Sequence, residues 1–295
     1  MMFPPPQVLI NGLIAGTAYA LIALGFSLIY STTKFFHFAH GAVYSASAYA
    51  AFGLIAFCSL PFSLSISAAI LFGAVLGMVI ERLVYRPLRT AGSPPLVIII
   101  ASFGVYIVLQ NVISMIFGDG VKTLRRGSPH EGLLLWGSRL TVPQLVSILT
   151  TVSLFAGTYV IVRYSRIGKI LRAVANDPDL ARVNGIETDR VIMCAFAAGS
   201  VLAAVAAILV SFDTDISPTM GMSALLMGVV ATIVGGIGSI RGALLGGLFV
   251  GIIQHLGAWK LPAQWQDTIV FSILILFLLA RPQGILGKPL RTASL

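Results

Sequence analysis

Residues 163–190 read RYSRIGKILRAVANDPDLARVNGIETDR, a polar stretch between two apolar runs that are each long enough to cross a lipid bilayer. Asp177 can cap a helix that begins at Pro178, because proline fits the first helical position and has no N–H to leave unpaired. Gly185 can end that helix, since glycine adopts the left-handed conformation without strain. The stretch therefore predicts a short helix over Pro178–Asn184, held between two membrane spans.

Two interpretations of this short helix remain open at the level of sequence. Leu180 and Val183 are three residues apart and share one helix face, and the small Ala181 lies in the middle of the segment. These features are typical of a helix that lies on the membrane surface and docks into the groove of a partner. The alternative is a solvated loop whose basic residues only orient the chain in the membrane.

Composition places the whole chain in a membrane. Of its 295 residues, 57% are hydrophobic and only 10% are charged, whereas a soluble domain carries about 25% charged residues. The apolar runs are continuous and do not alternate with period two, which excludes a β-barrel. The predicted fold is an all-α, polytopic integral membrane protein, a single transmembrane domain over residues 1–295, with about 8 to 9 hydrophobic segments.

The predicted segments follow the charge-free runs of the chain. A span needs about 20 apolar residues, and the run from Phe35 to Ile80 is long enough for two spans. The segments are Val8–Tyr30, a run that begins at His40, Phe62–Ile80, Pro95–Phe117, Pro143–Val162, Val191–Ser211, two spans joined by a glycine turn at Gly235–Gly238, and Asp267–Ala280.

Basic residues assign the connecting loops to the two faces of the membrane. The net charge of +9 comes from basic residues at the ends of apolar runs, which is the positive-inside pattern and not a sign of nucleic-acid binding. Residues 163–190 and Glu81–Arg89 are predicted to be cytoplasmic loops, and residues 118–142 the outer loop. Lys288 and Arg291 place the C-terminal tail in the cytoplasm, while the side of the N-terminus stays open. The basic residues of the outer loop conflict with this rule: Lys122, Arg125, Arg126 and Arg139.

A histidine pair marks the start of the second hydrophobic segment. His37, His40 and Gly41 precede a run of small apolar residues. A helix that begins here inside the membrane is a broken or re-entrant helix, tolerated only where protein or a water-filled cavity satisfies the freed backbone groups. Intramembrane ionisable groups are costly and usually functional, so these residues are candidates for a translocation path. The alternative places both histidines at the membrane interface.

Small and polar residues within the spans indicate close helix packing. Gly12, Gly16 and Ala20 recur every four residues on one face, which lets another helix of the same chain approach closely. Gln110 and Asn111 either line the translocation path or hydrogen-bond a neighbouring helix, and the hydrogen bond is favoured.

Motifs for enzymatic chemistry are missing from the sequence. Residues 235–242, GGIGSIRG, do not fit the Walker A pattern that cradles nucleotide phosphates, and no other stretch does. The chain has no H-E-x-x-H, G-x-S-x-G or C-x-x-C motif. Cys58 and Cys194 fall in apolar segments and are predicted to be buried thiols, not a disulfide or metal site. The sequence therefore predicts a path-forming protein that is not an enzyme and holds no cofactor itself.

Four stretches together carry a resemblance to a known family. They are residues 11–44, NGLIAGTAYALIALGFSLIYSTTKFFHFAHGAVY; 172–191, RAVANDPDLARVNGIETDRV; 234–251, VGGIGSIRGALLGGLFVG; and 281–287, RPQGILG. In this order and spacing they resemble the membrane permease subunits of bacterial branched-chain amino acid ATP-binding-cassette (ABC) importers. The chain is most similar to the shorter, LivH-like of the two paralogous permeases in that family.

The resemblance implies that the polar stretch carries the coupling helix, the segment that contacts an ATPase subunit. The family pattern A-x-x-x-D-x-x-x-A-x-x-x-G-I matches here, whereas the widespread permease consensus with E-A-A does not. The residues implied in coupling are Arg172, Ala173, Asp177, Pro178, Leu180, Ala181, Val183, Gly185 and Ile186. The FAHG at 38–41 matches the family pattern at the start of the second hydrophobic segment.

The resemblance also implies an assembly in the bacterial inner membrane. A second paralogous permease, two cytoplasmic ATPase subunits that hold ATP and Mg²⁺, and a periplasmic binding protein that delivers branched-chain amino acids are the expected partners. Similar permeases carry urea, amides or other small polar solutes, and the sequence does not exclude these substrates. A stand-alone secondary transporter is the alternative of a different class. It needs a carboxylate at membrane depth, but the ten acidic residues lie in loops or near span ends.

Overall fold

The computed structural model describes residues 5–124, 132–135 and 138–287. Helices dominate it, with one short antiparallel hairpin, Leu133–Leu135 (β1) and Ser138–Leu140 (β2). The helices are α1 (Pro6–Thr33), α2 (Ala39–Ala56), α3 (Phe62–Ile80), α4 (Arg86–Thr90), α5 (Pro95–Phe117), α6 (Val142–Tyr164), α7 (Arg166–Asn176), α8 (Pro178–Val183), α9 (Thr188–Asp213), α10 (Met220–Gly235), α11 (Ile240–Lys260) and α12 (Gln266–Ala280). A π-helical segment, Glu81–Tyr85, joins α3 to α4, and a 3₁₀ turn, Ala263–Trp265, precedes α12.

The hydrophobic helices match the segments predicted from the charge-free runs. Six helices in the described part of the chain are long and apolar enough to cross a membrane: α1, the continuous helix Phe62–Thr90, α5, α6, α9 and α11. The shorter apolar helices α10 and α12 and the buried α2 join them. The prediction of an all-α polytopic membrane protein is confirmed. Arg125 and Arg126 of the predicted outer loop, and Lys288 and Arg291 of the tail, lie outside the described residues.

Helix α1 occupies the centre of the bundle and packs against α9, α10 and, most extensively, α11. Glycines let the α1 and α11 backbones approach closely. A Cβ atom added at Gly12 would lie 2.9 Å from Ile252 Cα, and one at Gly16 would lie 2.8 Å from Leu248 Cα. The spaced small residues of α1 therefore pack within the chain, as predicted, because only glycine leaves room for the facing backbone.

The predicted cytoplasmic loop Glu81–Arg89 is wrong as a loop, because this segment is helical. The π-helical segment and α4 continue α3 without a break as far as Thr90. The charged residues are accommodated in the helix by pairing: Glu81, only 1% exposed, accepts a 2.6 Å hydrogen bond from Arg89 Nη2. Two cysteines also differ from prediction, since Cys58 and Cys194 are free but exposed.

The contacts at the two ends of α1 show which connecting segments lie on the same face of the bundle. Near its start, Gln7 exchanges two hydrogen bonds with the backbone of Arg139 in the hairpin, at 3.1 and 2.8 Å. Near its end, Tyr30 lines the same cavity as Arg163 and Arg172 of the polar stretch. The N-terminal end of α1 thus lies on the same side of the bundle as the hairpin, and α7 and α8 lie on the opposite side. If α8 is cytoplasmic, the N-terminus is therefore on the outer side of the membrane.

Candidate functional site

The polar stretch folds into two helices with defined caps. Ser165 Oγ accepts a hydrogen bond from the Gly168 N–H at 3.0 Å and caps α7. Asp177 Oδ1 accepts from the N–H groups of Asp179 and Leu180 at 3.0 and 2.9 Å and caps α8. Such side-chain oxygens satisfy N–H groups that have no partner inside the helix. The predicted short helix and its aspartate cap are confirmed, with α8 ending one residue earlier, at Val183.

The end of α8 depends on a glycine in the left-handed conformation. Gly185 has φ +80°, and its N–H donates to the Arg182 carbonyl at 3.0 Å. The N–H of Ile186 reaches back to the Ala181 carbonyl at 3.1 Å, as in a Schellman-type helix end. After this glycine the chain continues within three residues into α9, which begins at Thr188. The stop at glycine predicted from sequence is therefore confirmed.

The two faces of α8 differ in exposure. Leu180 and Val183 are 59% and 85% exposed, whereas Ala181 is only 4% exposed and faces α7 and α9 of its own chain. The side chain of Ala181 is covered by its own chain and is not part of the exposed face of α8. Its size lets α8 lie close to the bundle, and the apolar face open to a partner consists of Leu180 and Val183.

A basic cavity of about 1090 Å³ lies beside α7, between the ends of α1 and α6 and the start of α11. It contains Arg172 and Ala173, two of the residues implied in coupling. Its basic lining residues are Lys34, Arg163, Lys169, Arg172 and Arg241, and no carboxylate is among the described residues that line it. Partial burial lowers the pKa of Lys34. Arg172 is also held by the α6 end, since it donates to the carbonyls of Val162 and Arg163.

A second cavity of about 900 Å³ separates the Phe62–Thr90 helix from the turn after α8. Gly185 and Ile186, both implied in coupling, line its side nearest α8. Arg86 and Asp189 lie in the same lining and are bridged by a 3.1 Å ion pair between Nε and Oδ2. This contact belongs to a network that sequence reasoning missed, because the residues involved are about a hundred positions apart.

The histidine pair is buried inside the protein. His37 and His40 have no exposed surface, and their ring centroids are 5.6 Å apart. Burial within the protein does not fix their depth in the membrane, so the alternative of a pair at the membrane interface stays a prediction. The chain breaks after α1, where Lys34 adopts φ 60°, and returns into the bundle so that His40 packs against Gly25 of α1. The predicted break is present, and whether the pair lines a path stays a prediction.

A hydrogen-bond chain ties this break to neighbouring helices. His37 Nδ1 lies 2.9 Å from the hydroxyl of Tyr85, which donates to Ser102 Oγ at 2.9 Å. Ser102 Oγ also accepts from the N–H of Ala39, the first residue of α2, at 3.1 Å. The start of α2 is thus fixed by the π-helical segment and by α5. The sequence pattern marks His37 but carries no signal for Tyr85 or Ser102.

A second helix start meets α2 at Gly41. The N–H of Gly221, in the first turn of α10, donates to Ser45 Oγ at 3.0 Å, and Ser45 Oγ lies 3.3 Å from the Pro218 carbonyl. A Cβ added at Gly41 would lie 2.5 Å from the Gly221 carbonyl oxygen. Gly41 therefore has a packing role. The proline and the glycine of SPTMGM at 217–222, at the start of a short apolar helix, were the available signal for this junction.

The polar pair of α5 lies away from the histidines. Asn111 is exposed, and its Nδ2 donates to the Ile107 carbonyl of the same helix at 2.8 Å, not to a neighbouring helix. Gln110 is partly buried. The structure does not bring these two residues together with His37, His40 and Gly41 in a single site, and their part in a path stays a prediction.

A bundle of apolar helices, with a short capped helix exposed between two spans, is the architecture of a multi-pass membrane protein. The sequence model of one family, described as the branched-chain amino acid transport system permease component, matches residues 8–279. The chain belongs to this family. As a permease component it works together with other components of a transport system.

Curated relatives match over nearly the full length. The high-affinity branched-chain amino acid transport system permease protein LivH is 37% identical in Salmonella typhimurium and 36% identical in Escherichia coli. BraD, a protein of the same description from Pseudomonas aeruginosa, is 35% identical. Each alignment covers 96% of this chain and 96% of the relative. No solved structure matches the chain.

Proposed function

We propose that this chain is the membrane-spanning permease subunit of an ATP-driven importer in the bacterial inner membrane, and that it translocates branched-chain amino acids. The exposed apolar face of α8 carries the proposal, since Leu180 and Val183 are held outward by two capped ends. An apolar face of this kind on a polar segment favours docking by a partner protein over a solvated loop. The names of the relatives LivH and BraD supply the substrate class.

The proposed assembly contains four further subunits. Two cytoplasmic ATPase subunits hold ATP and Mg²⁺ and receive α8, a second paralogous permease completes the path, and a periplasmic binding protein delivers the substrate. ATP-driven movement of α8 tilts the attached spans α6 and α9, and the path alternates between outward and inward access. Coupling is assigned to residues 172–186 on this basis.

A stand-alone secondary transporter fits the structure less well. Ion coupling at membrane depth requires a carboxylate that can bind and release an ion. Among the described residues, Glu81 is the carboxylate that is fully buried, and it is paired with Arg89 at 2.6 Å. A carboxylate held in a buried ion pair is not free to exchange ions.

Co-purification tests the docking assignment. We expect the tagged wild-type protein from mildly solubilised native membranes to bring down an ATPase subunit and a second permease. Val183→Glu should lose the ATPase while it keeps the permease partner. Arg190→Ala is the matched control: it makes the same change of charge at an exposed residue of the same polar stretch, and it should retain both. Repeated recovery of the wild-type chain alone contradicts the proposal.

Uptake assays then test the substrate. Proteoliposomes that contain the purified complex and its binding protein should accumulate labelled leucine, isoleucine or valine only when ATP is enclosed on the α8 side. Unlabelled urea and acetamide should not compete. Competition by either compound, with no effect of leucine, shifts the assignment to a permease for small polar solutes.

A further inference from the structure

The helix Phe62–Thr90 contains an irregularity at a position where two networks meet. Glu81–Tyr85 is π-helical, and the Arg86 N–H bonds to the Glu81 carbonyl five residues earlier. A π-segment holds one extra residue in a turn, and such insertions inside α-helices are frequent at functional sites. Glu81 and Arg86 border an ionic network on one side of this segment, and Tyr85 belongs to a buried hydrogen-bond chain on the other side.

The ionic network reaches the turn that follows α8. Arg89 Nη2 lies 2.6 Å from Glu81 Oε1 and 3.3 Å from Asp189 Oδ1, and Arg86 Nε lies 3.1 Å from Asp189 Oδ2. Asp189 is in the first turn of α9, four residues after Gly185 ends α8. Glu81 is almost fully buried, so removing its arginine partner leaves an uncompensated buried charge. The contacts of Arg89 therefore connect the α8–α9 turn, at Asp189, to the π-segment, at Glu81.

The buried chain reaches the start of α2. Tyr85 has no exposed surface, and its ring packs against Phe196 of α9 and His37 at centroid distances of 5.6 and 5.3 Å. Through its hydroxyl it holds His37 Nδ1 and Ser102 Oγ, and Ser102 holds the first N–H of α2. A change in the direction of Tyr85 thus requires a new arrangement at the break between α1 and α2.

We propose that the Glu81–Tyr85 π-segment is the element that transmits movement of α8 to the buried start of α2, with Arg89 and Asp189 as the positioning residues. The proposal rests on the proposed function, since it takes α8 as the docking helix. The extra residue of the π-segment gives the helix two alternative registers. Shifting between them rotates Tyr85 relative to α4 and carries His37 with it. This is a two-state element that both the ATPase side and the path side can bias.

The amount of substrate accumulated per ATP hydrolysed distinguishes a loss of transmission between α8 and α2 from a general loss of stability of the complex. In the reconstituted whole complex, Asp189→Asn keeps the size of the side chain but weakens both arginine contacts. We expect the ATPase subunits to remain bound and the uptake per ATP to fall about five-fold or more, the lower range for coupling between sites. Arg89→Lys keeps a charge beside Glu81, but lysine is shorter and does not bring its ammonium to the position from which Arg89 Nη2 contacts both Glu81 and Asp189. It should show the same loss.

The control removes an ion pair of the same turn that lies outside the network. Arg190→Ala breaks the exposed pair of Arg190 with Glu187, whose side chains are 80% and 63% exposed. Exposed pairs of this kind contribute little, so uptake per ATP should equal that of the wild type. Wild-type ratios in both Asp189→Asn and Arg89→Lys overturn the transmission role. So does loss of the bound ATPase from these variants, because it makes Asp189 and Arg89 docking or folding residues.

A spectroscopic signal follows the far end of the link. The chain has four histidines, so ¹⁵N-histidine labelling of this subunit gives few signals, and Tyr85→Phe identifies that of His37. In the wild-type complex we expect the His37 signal to shift between the nucleotide-free state and the state trapped with ADP and vanadate. The shift should disappear in Asp189→Asn and persist in Arg190→Ala. If the His37 shift persists in Asp189→Asn, the proposed transmission through the π-segment is overturned. The proposed function still stands in that case, provided that the wild-type complex shows ATP-driven uptake. A wild-type complex without ATP-driven uptake overturns both.

Discussion

Ser45 Oγ accepts a hydrogen bond from the backbone N–H of Gly221 at 3.0 Å and so joins the second turn of α2 to the first turn of α10. The N–H groups at a helix start have no partner within their helix, and inside a bundle a side chain must satisfy them. Helix starts at such positions are tolerated only where protein or water supplies these partners. The Ser45–Gly221 contact supplies such a partner for the start of α10. It lies where α2 and α10 pack so closely that there is no room for a side chain at Gly41.

The first prediction concerns this junction. Gly41→Ala places a methyl group against the Gly221 backbone, which cannot move aside without separating α2 from α10. We expect a loss of stability of about 1 to 3 kcal/mol, as for other overpacked positions, together with reduced uptake. The thermal unfolding midpoint of the detergent-purified protein measures the first effect, and uptake into proteoliposomes measures the second.

Gly104→Ala provides the matched control for that substitution. A Cβ at Gly104 in α5 meets no atom within 4 Å, and alanine favours helix more than glycine does. Its unfolding midpoint should equal or exceed that of the wild type. Equal midpoints for Gly41→Ala and the wild type would show that α2 and α10 do not pack as tightly as described.

The second prediction tests the end of α8. Gly185 has φ +80°, a value that proline cannot adopt, and its N–H is bonded to the Arg182 carbonyl. Gly185→Pro should therefore abolish ATP-driven uptake by redirecting the chain into α9, while the protein still inserts into the membrane. Gly185→Asn should retain most activity, since asparagine tolerates the left-handed conformation. Immunoblotting measures how much of each variant is inserted in the membrane, and uptake is measured in the same vesicles. Normal uptake by the proline variant contradicts the assignment of this segment to coupling.

The third prediction tests the start of α8. Asp177→Ala removes the oxygen that accepts from Asp179 and Leu180, which costs about 1 kcal/mol at a typical N-cap. A six-residue helix tolerates this poorly, so amide hydrogens of 178–183 should exchange faster and uptake should fall. Asp177→Asn should preserve both properties because asparagine caps as well as aspartate does. Faster exchange in Asp177→Asn as well would show that the negative charge of Asp177, and not its capping hydrogen bonds, stabilises α8.

Several elements followed directly from the sequence because each depends on neighbouring residues. The start of α3 and both bounds of α5 follow from charge-free runs that begin at a proline pair or directly after a proline, and α8 follows from an aspartate, a proline and a glycine at set spacing. These signals lie within one turn or one span of the element that they define. Local physical chemistry is therefore sufficient for them.

Other features depend on residues far apart in the chain, and the sequence pattern was misleading there. Four charged residues in Glu81–Arg89 indicated a loop, but a partner at Asp189 helps to keep the segment helical. Asn111 was expected to bond another helix and instead bonds its own. The direction of Ala181 could not be read from a six-residue helix, because the packing of α7 and α9 decides which face is covered.

The last prediction separates docking by α8 from folding of α8. Ala181→Glu places a carboxylate in a site that is 4% exposed, and burying an unpaired charge costs several kilocalories per mole. Val183→Glu places the same group at a site that is 85% exposed and leaves the packing of α8 intact. Both variants should lose ATP-driven uptake. Hydrogen exchange distinguishes them, since α8 should become unprotected in Ala181→Glu and keep wild-type protection in Val183→Glu. Loss of protection in both variants would mean that the outward face also stabilises the helix, whereas normal uptake by Val183→Glu would remove Val183 from the docking surface.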